Sequence, residues 1–171
     1  MIYLIGYMGS GKSYLGKLIS NELKIPYLDT DKEIEKIEGK SIIEIFNEKG
    51  EKYFRRVEQK ILHQINNKDS IISCGGGLPI FDNNMNYINN TGTSIYLKGS
   101  YNHLYSILKN KKKRRPLIAK IPEKKLLNYI KKDISEREKI YKRAKYTINI
   151  ENRNILEILR DINTLITNTP I

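Results

Sequence analysis

The sequence predicts an α/β domain in which a parallel β-sheet lies between two layers of helices, and three observations carry that prediction. Short apolar runs alternate along the chain with longer stretches of helical periodicity. Three of those runs end in glycine-rich or acidic loops, at 6–13, 29–31 and 75–77. Right-handed crossovers between parallel strands bring such loops to one edge of the sheet, where they converge on one site. At 171 residues, the chain is long enough for one domain with a real core and too short for two.

Taken in order, residues 2–5 form a short apolar run that reads as a buried strand feeding Gly6. Leu15, Leu18, Ile19 and Leu23 then recur at helical spacing, and Pro26 marks the stop. Residues 27–28 make a second strand that delivers Asp29-Thr30-Asp31. Helical patterns fill most of 31–66, with breaks near Gly39 and Gly50. Residues 70–74 are a third strand running into Gly75-Gly76-Gly77. Residues 94–97 and 146–150 supply a fourth and a fifth, each followed by a helical stretch. The segment 109–122 is basic, bounded by proline and poor in helical periodicity, so it reads as a mobile loop.

Composition narrows the function. A hydrophobic share of 39% is not that of a disordered chain, and no apolar run approaches the roughly 20 residues of a membrane span. The first strand runs straight into the glycine turn, so no secretory leader is expected. The single cysteine, Cys74, excludes an internal disulfide and fits a reducing cytoplasm. The net charge of +12 suits nucleic acid, a membrane surface, a small anionic substrate, or simply solvated lysine-rich faces. The lysines are spread along the chain apart from Lys111-Lys112-Lys113-Arg114-Arg115, and no aromatic–basic pattern of the RNA-binding kind accompanies them. Neither nucleic acid nor membrane is therefore expected as a partner.

The chemistry-bearing stretches are more specific. GYMGSGKS, residues 6–13, matches the phosphate loop G-x-x-x-x-G-K-[ST] in its required place between a strand and a helix. Around Gly9, Ser10 and Gly11 the backbone N–H groups turn inward toward phosphate oxygens, and the helix N-terminus adds its positive end. Lys12 then reaches the β- and γ-phosphates and the Ser13 hydroxyl ligates Mg²⁺. Asp29 and Asp31 sit two apart at a strand end. One reading has Thr30 or Asp31 capping the next helix. The other has one carboxylate near the metal and one near the acceptor hydroxyl.

In Phe54-Arg55-Arg56-Val57-Glu58 the apolar stripe is Phe54, Val57, Ile61 and Ile65. Arg55 and Glu58 fall three apart and can pair, which from pattern alone is surface decoration of small energetic worth. Three successive glycines at 75–77 cost conformational entropy. They suggest a close backbone approach to a ligand, with a plain tight turn as the alternative. Arg115-Pro116-Leu117 puts an arginine on the mobile loop, where it suits a closing lid over phosphates. Arg114 and Lys111, Lys112 and Lys113 read as solvated, and Arg137 and Tyr141, four apart, say little as pattern. Cys74 reads as a core thiol, and His63 and His103 as surface residues.

The ordered set is more telling than any member. The phosphate loop, Asp29-Thr30-Asp31, Phe54-Arg55-x-x-Glu58, Gly75-Gly76-Gly77, Arg115-Pro116-Leu117 and Arg137-x-x-x-Tyr141 together resemble the shikimate kinase family over nearly the whole chain. The resemblance implies a three-layer α/β/α P-loop kinase fold of the nucleoside-monophosphate-kinase type, with a five-stranded parallel sheet of order 2-3-1-4-5. It implies one domain over 1–171, with a helical substrate-binding region at about 31–61 and a lid at about 109–122. It implies phosphorylation of the 3-hydroxyl of shikimate by ATP with Mg²⁺, on the route to chorismate and aromatic amino acids, by a cytoplasmic monomer.

Carried over by position, the resemblance makes Lys12, Asp31 and Arg115 the catalytic set. Asp31 contacts the ring hydroxyls and acts as base, and Arg115 closes from the lid onto the phosphates. Ser13 holds the metal, and Asp29 reaches it through water. Arg55 and Arg137 grip the substrate carboxylate, and the backbone of Gly76 and Gly77 positions the ring. Gly9, Ser10, Gly11, Lys12, Ser13, Tyr14 and Arg115 contact ATP.

Two positions depart from the family pattern. Tyr14 replaces a second hydroxyl residue after Lys-Ser, although its backbone N–H still faces a phosphate. An arginine about seven residues before the lid Arg-Pro, which stacks on adenine, is missing; that region reads Ile107-Leu108-Lys109. Lys109 and the loop Asn152-Arg153-Asn154 are then the expected adenine neighbours, with Arg153 the binding residue. A gluconate or nucleoside monophosphate kinase would share the loop and lid. The Asp31, Arg55 and Arg137 set instead fits a hydroxylated carboxylate, and no base pocket for a nucleotide acceptor is visible. A non-catalytic RNA-binding P-loop protein leaves the second carboxylate, the glycines and Arg137 unexplained.

Overall fold

In the computed structural model, which describes residues 1–112 and 115–167, the chain begins with strand β1 (Ile2–Ile5). Its alternation sends Tyr3 and Ile5 to one face of the sheet and Leu4 to the other. Helix α1 (Lys12–Leu23) follows and ends at Lys24 in the left-handed region. Strand β2 (Tyr27–Asp29) leads directly into α2 (Thr30–Glu38), and α3 (Ile42–Gln64) completes the helical region after the loop at Gly39. Strand β3 (Ile71–Ser73), a 3₁₀ turn (Leu78–Ile80), α4 (Asn84–Thr91) and β4 (Thr93–Lys98) come next. The chain then runs through α5 (Tyr101–Leu108), α6 (Pro116–Ala119), α7 (Glu123–Tyr141), β5 (Tyr146–Asn149) and α8 (Ile155–Thr167).

All four strand pairings are parallel and the sheet order is β2-β3-β1-β4-β5. Leu4 of β1 stands opposite Ser73 of β3 and Ile95 of β4, so the loops leaving β1 and β3 emerge side by side. On one face α1 and α8 pack Leu15, Ile19, Ile158 and Ile162 against Leu4, Ile71, Ile95 and Leu97. On the other face α4, α5 and α7 cover Tyr3, Ile5, Ile72 and Tyr96. Ile34, Ile45, Phe54 and Ile61 form a separate apolar cluster within α2 and α3, which gives the helical region beside the site its own rigidity.

Both predicted breaks are present. Gly39 ends α2 in the left-handed region, and Gly50 interrupts α3 with φ 77° and ψ 169°. The second half of α3, which carries Arg55 and Glu58, is thereby re-aimed toward the sheet edge.

The loop predicted over 109–122 requires correction. Pro116 opens the short helix α6, its fixed φ suiting a first helical position. Ile118 is fully buried, and Leu117 packs against the main core. Packing, rather than periodicity, makes this segment helical. Lys113 and Arg114 of the basic run lie outside the described residues.

Candidate active site

The phosphate loop leaves β1 and closes on its own lysine. Lys12 Nζ donates to the carbonyls of Gly6 and Tyr7, both at 2.8 Å, with Ser10 Oγ at 3.4 Å. Burial lowers the lysine to about 8, Asp31 opposing the shift and Arg115 adding to it. Phosphate oxygens would supply the anionic partner this lysine has only in part.

At the end of β2, Asp29 uses both carboxylate oxygens, each accepting from two donors. Its Oδ1 accepts from the backbone N–H of Asp31 (3.1 Å) and Lys32 (3.3 Å), capping α2. Its Oδ2 accepts from Ser13 Oγ at 2.6 Å and from the Tyr27 hydroxyl at 3.1 Å. The cap expected at Thr30 or Asp31 is therefore Asp29. Thr30 is buried and its Oγ1 accepts from Gly75 N at 2.8 Å, which ties the second loop to the third. Asp31 is released from capping. Burial, with Asp29 beside it, raises its pKa against the pull of Lys12, Arg115 and Arg55.

The Arg55–Glu58 pair is not surface decoration. Arg55 is 8% exposed and Glu58 0%, and Nη1 donates to Glu58 Oε2 at 2.5 Å. Glu51 takes the other edge of the same guanidinium, at 3.2 Å from Nε and 3.0 Å from Nη2. The kink at Gly50 and the packing of Phe54 turn this side of α3 inward, which a pair spacing in sequence does not reveal.

The glycine triplet has a different cause at each position. A Cβ on Gly75 would lie 2.1 Å from Glu58 Oε1 and 2.6 Å from Asp31 Oδ1. One on Gly77 would lie 2.2 Å from Arg55 Cζ. The close approach inferred for a ligand is thus, at these two positions, made by the protein's own charged side chains. Gly76 alone is open, with its nearest neighbour at 3.5 Å, and its carbonyl accepts from the Tyr141 hydroxyl at 2.5 Å.

These loops enclose two adjoining cavities. The smaller, of about 280 Å³, is lined by Gly9, Gly11, Lys12, Ser13 and Tyr14, with Ile107 and Leu108 at its apolar end. The larger, of about 520 Å³, is lined by Arg55, Gly76, Gly77, Arg137, Phe46 and Leu117. Ser13, Asp29, Asp31, Gly76, Lys111 and Arg115 border both. Ser10, within the phosphate loop, is buried and lines neither cavity.

Two expected neighbours of the smaller cavity lie elsewhere. Arg153 donates to Asp161 Oδ2 at 2.7 Å, on the first turns of α8, and neither it nor Lys109 lines either cavity. Lys111, read as solvated, stands at the shared wall instead. Cys74 is buried, and burial raises its thiol far above the usual range. His63 is exposed against the Tyr87 ring, and His103 is half-buried on α5.

The arrangement can hold polyphosphate in one chamber and a small anion in the other, with a carboxylate and a cation at the boundary. Comparison with known proteins gives the family. The family model for shikimate kinase matches residues 8–167. A shikimate kinase of Flavobacterium psychrophilum is 39% identical over 168 residues, 96% of this chain and 98% of that protein. Among solved structures, a shikimate kinase from Bacteroides thetaiotaomicron superposes with a TM-score of 0.87 at 33% identity, covering 97% of each chain. The Acinetobacter baumannii shikimate kinase in complex with shikimate gives a TM-score of 0.86 at 28% identity, over 97% of this chain and 92% of that one. A family-model match running from residue 8 to residue 167, with a relative 39% identical over 96% of the chain, places this chain in the shikimate kinase family.

Proposed function

We propose that this chain transfers the γ-phosphoryl group of ATP to the 3-hydroxyl of shikimate, giving shikimate 3-phosphate and ADP. The observation that carries the reading is the wall shared by the two cavities, where Asp31 and Arg115 stand between Lys12 on one side and the Arg55–Arg137 pair on the other. ATP occupies the smaller chamber with its phosphates against the loop N–H groups, and Lys12 turns from the Gly6 and Tyr7 carbonyls to the β- and γ-oxygens. Tyr14 joins through its backbone N–H. Ile107 and Leu108 form the adenine end in place of Lys109 and Arg153, and Lys111 stands at the shared wall.

Shikimate occupies the larger chamber. Two arginines bind a planar carboxylate through bidentate bonds, and the backbone of Gly76 and Gly77 places the ring. Asp31 takes the proton of the attacking hydroxyl, for which a carboxylate raised by burial is better suited than an ordinary one. The new O–P bond forms as the bond from the γ-phosphorus to the leaving ADP oxygen breaks. Arg115 meets the charge on the transferring group.

Ser13 and Asp29 fit Mg²⁺, since a hydroxyl and a carboxylate oxygen already stand 2.6 Å apart at the chamber wall. The described residues hold no cluster of three or more His, Cys, Asp or Glu. Mg²⁺ takes one or two protein oxygens and completes its shell with phosphate and water. When bound it would neutralise phosphate charge, with the Ser13 hydroxyl holding it and Asp29 reaching it through water.

The same proposal includes one domain over 1–171, with the acceptor region at 31–61 and the lid at 109–122. It also includes a cytoplasmic monomer serving chorismate and aromatic amino acid synthesis. No described helix is long and apolar enough to cross a membrane. In the test, purified protein with MgATP is offered shikimate, gluconate and nucleoside monophosphates in turn, and ADP release is followed. Turnover is expected with shikimate at least ~10²-fold above the others. A folded sample without shikimate-dependent turnover would falsify the reading.

A further inference from the structure

Arg137 does not stand alone in its chamber. Its Nε donates to Asp133 Oδ1 at 2.7 Å, one turn back on α7. Asp133 Oδ2 accepts from the Tyr7 hydroxyl at 2.8 Å, a contact across 126 residues of sequence. The Tyr7 ring lies under the guanidinium, 5.7 Å from Cζ to the ring centroid, and the residue is 1% exposed. Tyr7 belongs to the phosphate loop, and its carbonyl is one of the two that hold Lys12. A single chain of contacts therefore runs from Arg137 through Asp133 and the Tyr7 side chain to Lys12.

We infer that Asp133 is a positioning residue for the acceptor chamber, holding Arg137 by its Nε and bracing it through Tyr7 against the phosphate loop. The inference rests on the reading of that chamber as a carboxylate site. The bond to Asp133 uses Nε, so Asp133 itself does not occupy the Nη side of the guanidinium, which also interacts with the Tyr141 hydroxyl and can face an incoming carboxylate. A long arginine otherwise loses much rotamer freedom on binding, and a guanidinium already held in place loses less. The Tyr7 hydroxyl is buried, and without Asp133 it would have to find another acceptor or draw the loop out of place.

An opposing effect acts on the same atoms. The Asp133 charge weakens the attraction of Arg137 for any anion, so positioning and charge predict different outcomes. Asparagine separates them, because its amide oxygen accepts from Arg137 while its amide nitrogen donates to the Tyr7 oxygen.

Shikimate affinity is measured by calorimetry on wild-type protein, Asp133→Ala, Asp133→Asn, Tyr7→Phe, Arg137→Ala and the Asp133→Ala/Arg137→Ala double variant, with kcat and both KM values alongside. Asp133→Ala is expected to weaken shikimate about tenfold and to leave the KM for ATP within about threefold. Asp133→Asn should restore affinity to within about threefold of wild type, and Tyr7→Phe should weaken it severalfold. In the Arg137→Ala background, Asp133→Ala should cost nothing further.

Unchanged affinity in Asp133→Ala, additive losses in the double variant, or tenfold tighter binding by Asp133→Asn would each overturn the inference. Should Asp133→Ala fail to fold, the asparagine and Tyr7→Phe variants decide it, and unchanged affinity in Tyr7→Phe overturns the brace. Wild-type protein that binds no shikimate removes the functional reading as well, whereas wild-type binding with unaffected variants removes this inference alone.

Discussion

Gly75→Ala is expected to lower kcat about a hundredfold while leaving ATP binding nearly unchanged. The added Cβ would stand 2.1 Å from Glu58 Oε1 and 2.6 Å from Asp31 Oδ1, where ordinary contact begins at 3.4 Å. The backbone cannot retreat, because Gly75 N donates to Thr30 Oγ1 at 2.8 Å and its carbonyl accepts from Leu78 N at 3.0 Å. Glu58 is fully enclosed and tied to Arg55 at 2.5 Å, so Asp31 yields more readily, into the cavities it borders. A displacement of about 1 Å at a reacting group costs on the order of 10²-fold in rate.

Overpacking adds about 1–3 kcal/mol of destabilisation, a fall in Tm of roughly 2–12 °C for a chain of this size. Steady-state kinetics against each substrate, with a thermal melt of the same sample, separates the two effects. A Gly75→Ala enzyme with kcat within about threefold of wild type would show that Asp31 does not need the position that Gly75 leaves open.

Other substitutions test separate parts of the site. Burial raises Glu58 to about 7, against the pull of Arg55, so the folded state holds this proton more tightly than the unfolded chain does. The stability present below the unfolded value near 4.5 is therefore lost as pH rises through 7. Relative to Glu58→Gln, the wild type should lose up to about 3 kcal/mol over that window in urea denaturation, and a pH-independent difference refutes the assignment. Lys12→Ala should lower kcat about 10²–10³-fold with the KM for shikimate within about threefold, and a kcat within tenfold of wild type would remove Lys12 from the catalytic set. Tyr14 is 60% exposed at the mouth of the smaller cavity, so Tyr14→Thr should tighten ATP binding only about fivefold; a fiftyfold gain would show that the missing hydroxyl matters more.

Much of the fold was legible along the chain. Strand runs, the left-handed stop at Gly39 and the break at Gly50 all follow from local periodicity and glycine placement. Ser41 and Glu44 form a capping box at the start of α3, a Ser-x-x-Glu signal open to sequence reading. The segment 109–122 was less legible, because α6 is held by the burial of Ile118 rather than by its own periodicity. Nor does the segment 152–154 reveal in sequence that Arg153 pairs with Glu157 and Asp161 of α8 and lines neither cavity.

Local sequence dictates whatever depends on neighbouring residues: the phosphate loop, with its contiguous backbone N–H groups, the alternation of strand and helix, and the identity of the charged side chains. How those charges are used is set by the fold. Asp29 caps a helix with one oxygen and meets Ser13 with the other. Arg55 and Glu58 are buried as a pair against Gly77 and Gly75, which leave them room. Arg137 is braced by Asp133 and a tyrosine far away in the chain. The physical reason is the same in each case: burial and hydrogen-bond partners are set by which surfaces the sheet brings together, and spacing within one segment carries no record of that.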